Sequence, residues 1–256
     1  MTQKLSLMLG IFYSITSLFA QENTEKKYWY TSLDSEGYIS IQKIKDVDNT
    51  SLNTEVKTTL NNKILNFSVS TTNTTDKMVA PLKIVFDGNI DNNLKPVHFT
   101  GTRIKKNKKN VSYWTFDGDF TDEMETDPDV KRFTYAKYSA TLRIPDRTIP
   151  SFNLWAIIPN LPFDKKGTFK FNSLDETKLY VKKNQTVNYL GYTKVTINGE
   201  IMKLHKFVHQ GKDIEASYFW VNEARELIQV LLDNKFTFRI STKEIALQNK
   251  AVTVSK

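Results

Sequence analysis

Among its 256 residues the chain has no cysteine. That absence excludes disulfides, a thiol nucleophile, a cysteine-ligated metal and an acylated N-terminal cysteine. Histidine is nearly as scarce, at His98, His205 and His209. The last two stand four apart, which on a helix would aim two imidazoles at one metal. They lie instead in a stretch that reads as a strand, where four residues span roughly 13 Å. They share a face with Phe207 there and cannot chelate one ion. Only nine glycines and seven prolines are present, and no Gly/Ser/Pro-rich linker or fixed-period repeat divides the chain, so one domain is expected. No Gly-x-Ser-x-Gly elbow, phosphate loop or dinucleotide fingerprint occurs. The expectation is a non-enzymatic protein with no cofactor. An enzyme acting on glycans would need two converging carboxylates, and no spacing here singles out such a pair.

Long apolar runs are missing as well, with one exception at the N-terminus. Lys4 precedes the apolar stretch from Leu5 to Phe19, and Ala20 is small enough for cleavage. The run is too short and too interrupted by Ser and Tyr to span a bilayer, and Glu22, Glu25, Lys26 and Lys27 follow at once. Residues 1–20 therefore read as a signal peptide removed after Ala20, leaving residues 21–256 as a single β-rich domain. Export to the periplasm or beyond is expected, with no transmembrane segment. The formal charge is +8. The lysines are spread along the chain, which reads as a solvated basic surface rather than a nucleic-acid interface.

What is present is a meander from Thr186 to Ser241. Asn198-Gly199 suits a type I′ hairpin because both residues tolerate positive φ, and further reversals fall at Gln210–Lys212, Asn222–Arg225 and Asp233-Asn234. The strands between are Tyr192–Ile197, Ile201–His209, Ile214–Val221, Leu227–Leu232 and Lys235–Ile240. Upstream, Tyr38–Lys45 and Glu55–Leu60 are candidate strands without clean alternation. Ile64–Ser70 does alternate, Val97–Ile104 pairs with Val111–Phe116 as a hairpin, and Arg132–Ile144 reads as one long strand. Pro150 and Pro159 frame a run, Phe152, Leu154, Trp155, Ile157 and Ile158, that is apolar nearly all round. A short helix over about 151–158 without a wet face must be buried. Ser241 and Glu244 fit a capping box for a short C-terminal helix. The fold class expected is mainly β, a single curved antiparallel sheet forming a half-barrel or open barrel, with the short helix plugging its hollow face.

The run Gly191–Gly199, followed by Tyr218-Phe219-Trp220-Val221 and Leu227-Ile228-Gln229-Val230, resembles the C-terminal half of a family of uncharacterised bacterial envelope proteins of Bacteroidetes type. More distantly it resembles the periplasmic lipoprotein-carrier half-barrels. The resemblance covers about residues 150–242 and implies a strongly curved antiparallel sheet with a helix against its hollow, but no activity. No functional residue follows from the resemblance; the all-apolar helix beside a one-sided sheet instead makes Phe152, Trp155, Ile158, Tyr218 and Trp220 the candidate ligand-binding residues, for a lipid or another apolar small molecule. The alternative is an adaptor that contacts envelope proteins through a lysine tip (Lys105, Lys106, Lys108, Lys109) and an acidic loop. Within that loop Asp117, Asp119 and Glu123 are weak calcium candidates, since hard cations want several oxygens.

Overall fold

The structure, a computed structural model, describes residues 25–74, 81–91, 96–104, 111–119, 132–136, 139–145, 147–163, 167–212 and 214–249. The first strands are β1 (Glu25–Ser32), β2 (Gly37–Lys45), β3 (Thr50–Leu60), β4 (Lys63–Asn73), β5 (Pro81–Asn89), β6 (Val97–Ile104), β7 (Val111–Gly118), β8 (Arg132–Ala136) and β9 (Ser139–Pro145). After β10 (Thr148–Pro150) comes a helical segment, and then β11 (Thr168–Asp175), β12 (Tyr180–Ile197), β13 (Glu200–Gly211), β14 (Ile214–Val221), β15 (Leu227–Leu232) and β16 (Phe236–Ser241). All sixteen belong to one sheet, which runs from β10 through β16 to β1 and on to β9 and β8. The central join is β16 with β1, placing Tyr30 opposite Ile240. β10 forms one edge while β9 lies next to the other, yet only two residues connect them. Thr148 Oγ1 donates to the Pro145 carbonyl at 2.6 Å across that link. Two residues reach no more than about 10 Å, so the sheet must curl until its edges meet. The result is a nearly closed barrel.

Alternation decides what faces inward. In β3 the inward set is Thr50, Leu52, Thr54, Val56 and Thr58, each at most 2% exposed. Three of the five are threonines, which explains why the apolar pattern of this strand is unclear in the sequence. Phe67, Phe86, Phe99 and Phe116 form a ring-on-ring row across β4 to β7, with neighbouring centroids 5.0, 5.3 and 5.9 Å apart. Gly101 makes room for it, because a Cβ there would stand 2.4 Å from the Phe116 ring.

The strand expected over Arg132–Ile144 is two strands, β8 and β9, folded back on each other with Ala136 opposite Ser139. No Gly, Pro, Asn or Asp marks this reversal, so the sequence carries no turn signal. Conversely, Tyr192–Ile197 is only the end of β12, a single strand of 18 residues that starts at Tyr180. It absorbs irregularity at Asn184 (φ 56°) and Gly191 (φ 96°) instead of ending there. Asn198 (φ 51°) and Gly199 (φ 83°) make the expected tight hairpin, and Asp233 and Asn234 make another. The C-terminal helix α2 (Lys243–Gln248) starts one residue later than the capping box implies. Thr242 is its N-cap, and its hydroxyl accepts from Ile245 N at 3.4 Å.

The helical segment is a 3₁₀ turn Ser151–Asn153, then α1 (Leu154–Ile157), then a 3₁₀ turn Ile158–Asn160. Ten residues cannot hold a helix in water alone. Packing holds this one inside the barrel: Leu154, Trp155, Ile157 and Ile158 are each at most 4% exposed. Trp155 meets Tyr30, Phe238 and Phe219 edge-on at centroid distances of 5.1, 5.9 and 6.4 Å. Asn153, fully buried, is the polar anchor. Its carboxamide oxygen accepts from Thr71 Oγ1 at 2.8 Å, and its nitrogen donates to Asn73 Oδ1 at 3.3 Å. The helix is thus a fixed plug. Trp155→Ala is expected to lower unfolding free energy by about 3–5 kcal/mol, the range for truncating a core aromatic. Urea melts measure this directly, and a loss below about 1 kcal/mol would contradict the packing described.

Candidate functional site

The plug fills the hollow but leaves a cleft of about 220 Å³ at the barrel mouth. Strand geometry builds its walls. Tyr30, Tyr28 and Lys26 point inward along β1 and pass from buried to half-buried to exposed as the strand nears the rim. Ile41 and Lys43 repeat that gradient along β2. Trp155 and Ala156 of α1 supply the apolar floor, with Pro159 and Asn160 beside it. Burial in this apolar setting raises the Tyr30 phenol far above its ordinary range, so it stays neutral.

The fourth wall is the β14–β15 loop. Asn222 Oδ1 accepts from Glu226 N at 2.8 Å, and Asn222 Nδ2 donates to Glu226 Oε2 at 2.9 Å. This closed turn holds Arg225 at φ 65°. The Arg225 guanidinium lies 3.7 Å from the centre of the Phe163 ring and donates to the carbonyls of Pro159 and Leu161. A cation at the carbonyl end of the plug satisfies groups that the helix itself leaves unbonded. The same loop carries Glu223, whose carboxylate oxygen sits 3.0 Å from His205 Nε2 but out of line for a hydrogen bond. His205 Nδ1 is 2.7 Å from the Tyr189 hydroxyl, and its ring stacks on Phe163 at 3.8 Å. His205 therefore ties β12, β13 and the loop together.

Trp155 lines the cleft. Phe152, against the Phe67 ring at 5.8 Å, and Ile158, fully buried, belong to the barrel core around it. Tyr218 and Trp220 do not join them. They lie on the other side of β14 from Phe219 and Val221, in a second cluster with Leu204 and Ile228. Lys206 Nζ stands 4.4 and 5.2 Å from their ring centres. Asp117 and Asp119 are exposed at the end of β7, whereas Glu123 and the lysine tip lie outside the described residues. No group of three or more metal-ligating side chains occurs among the described residues. No helix among them is long and apolar enough to cross a membrane. Sequence reasoning missed Arg225, Glu223 and the cleft lysines, because their convergence depends on which strands meet at the rim. The Asn222–Arg225 turn signal located the loop but not its role.

Comparison with protein-family models, curated proteins and solved structures finds no match to this chain.

Two titratable groups have strongly displaced protonation, Glu176 beside the plug and the half-buried His209 against the Phe171 ring of β11. Glu176, 1% exposed, accepts from the plug's Phe152 N at 3.3 Å. Burial, reinforced by the Asp175 charge, pushes its carboxyl up to about 8. Burial, with the Lys182 charge, pushes His209 down to about 4. Their signs differ. The Glu176 contribution is complete below its unfolded value near 4.5 and is lost as pH rises through 8. The His209 contribution is complete above 6.5 and is lost as pH falls through 4. Between about 4.5 and 6.5 the two offset each other, and above 6.5 only the Glu176 loss remains. Glu176→Gln is expected to remove about 2 kcal/mol of the stability decline between about pH 6.5 and 8.5. Urea midpoints across that range, wild type against variant, measure it; equal slopes would contradict a buried neutral Glu176.

Proposed function

We propose that the protein is a non-catalytic, exported binding protein that takes a compact amphipathic anion in the cleft beside the plug. The observation that carries this reading is the cleft's polarity gradient. Its floor is Trp155, Ala156, Tyr30 and Ile41, and its rim holds Lys26, Lys43 and Arg225 against the single carboxylate of Glu226. An apolar floor under a few convergent polar groups is the usual make-up of a small-molecule site. The volume sets the size of the ligand. About 220 Å³ is below the roughly 300–1,000 Å³ of drug-sized sites, so a short apolar tail with a charged head fits and a full-length acyl chain does not. Fixed anchoring of the plug through Asn153 argues against enlarging the space by displacing it. The apolar run Leu5–Phe19 supports an exported setting for this activity.

Calorimetric titration with octanoate, octyl phosphate and hexadecanoate tests the proposal. One site per chain is expected for the two eight-carbon probes. Their affinity should fall at least about ten-fold, or ~1.4 kcal/mol, in a Lys26→Glu/Lys43→Glu double variant. Absence of binding by both short probes, or binding that ignores the rim charges, would overturn the reading.

A further inference from the structure

The strands that wall the cleft present a second concavity on their opposite side. Where Ile39, Ile41, Val56, Phe67 and Phe86 enter the core, the alternate residues of the same strands face outward. Register carries one outward row across six strands: Trp29, Ser40, Glu55, Ser68, Asp87 and His98. Gln42 and Asn53 pair in the row on one side, and Lys57 and Asn66 in the row on the other. The two serines are the short members of the central row, and longer side chains stand around them. The surface there sinks into an open groove of about 410 Å³ lined by Ser40, Gln42, Asn53, Glu55, Ser68 and Asp87, with Lys57 and Asn66 beside them. This polarity, apolar within and polar without, is the reverse of a barrel that faces lipid.

The groove is preorganised. Glu55, at its centre, is 2.8 Å from Lys57 Nζ and accepts from the Tyr38 hydroxyl at 3.1 Å. Partial burial opposes its charge, yet the Lys57 and Tyr38 contacts hold its carboxyl below the usual range. Asp87 is fixed by His98 Nδ1 at 2.6 Å. Asn53 Nδ2 reaches Gln42 Oε1 at 3.5 Å. Outside the lining residues, opposite Ser40 in the same row, the Trp29 ring is held by Tyr38 at 5.3 Å and by the Lys27 ammonium at 4.5 Å.

We infer that this groove binds a neutral saccharide chain. The amides of Gln42 and Asn53 each spend one N–H on a neighbour, Glu25 and Gln42 respectively, and keep a second, while carboxylates and hydroxyls supply further acceptors at strand spacing. That mixture suits a ligand whose hydroxyls donate and accept in alternation. Trp29 adds an aromatic surface for the apolar face of a sugar ring. Competing ligands fit less well. The charges are mixed in sign, with Lys57 and Lys27 both acting on Glu55 and Asp87 adding a further carboxylate to the lining, so a polyanion gains little. β2 to β5 are paired on both sides, which leaves no edge for a peptide strand to extend.

Nuclear magnetic resonance titration of the full chain with soluble hexasaccharides of the β-glucan, α-glucan, xylan and N-acetylglucosamine types tests this. Heparin serves as the polyanion control. At least one neutral hexasaccharide is expected to shift the side-chain amide signals of Gln42, Asn53 and Asn66. Its affinity should change less than about two-fold between roughly 50 and 500 mM salt, because no net charge is being screened. Ser68→Trp places a bulky ring on an exposed position in the middle of the groove and should weaken binding at least about ten-fold, ~1.4 kcal/mol. Three results overturn the inference: no shift with any neutral member, neutral binding that survives Ser68→Trp, or binding by heparin alone that is lost at high salt.

Discussion

A single buried carboxamide fixes the relation between the helix and the sheet. Asn153 has no access to water, and an unpaired amide in that position would lose about 1–3 kcal/mol of solvation with no return. Thr71 and Asn73 of β4 supply its partners, and Asn73 in turn donates to the Thr50 carbonyl of β3 at 3.3 Å. The plug can satisfy Asn153 only in one position along the barrel axis. Apolar packing around Trp155 is non-directional by itself; the amide chooses the register in which that packing happens. Glu176 at the plug's start and Arg225 at its end then satisfy amide and carbonyl groups that so short a helix leaves open, and Ser151 Oγ ties the plug to the Leu174 carbonyl of β11.

Fixing the plug also defines both concavities. The helix fills the barrel and leaves a cleft on the inner side of β1 and β2, where tyrosines give way to lysines. The outward side of the same strands carries polar residues. β2 thus carries two surfaces of opposite chemistry on alternate residues. Ile41 looks to the cleft while Ser40 and Gln42 look to the groove. A protein built this way can hold two unlike ligands without moving a strand.

The sequence made the second half of the fold readable where turns demand special backbone geometry. Asn198-Gly199 and Asp233-Asn234 sit at positive φ as their identities require. Pro150 and Pro159 marked the plug for a similar reason, since each restricts where a helix begins or continues. Legibility failed where both sides of a strand carry similar residues. In β14, Phe219 and Val221 on one side match Tyr218 and Trp220 on the other in bulk and apolarity, so alternation separates the sets without saying which is interior. The threonines of β3 concealed an inward face behind polar names. The groove and Asn153 were hidden for a deeper reason: each depends on partners many residues away, 82 in the case of Asn153 and Thr71. Pairing register, which a single chain does not display, is what brings those partners together.

The central claim is that the plug belongs to the core and does not open independently of it. Native-state hydrogen exchange at the amides of Leu154, Trp155 and Ile157 tests it most directly, compared with Val230 and Phe238 in β15 and β16. If the plug is locked by Asn153, its slowest amides exchange only through global unfolding, with the same opening free energy and denaturant dependence as those strands. Exchange of the plug amides through a smaller, denaturant-insensitive opening, while the strands stay protected, would contradict the account and mark the helix as a movable lid.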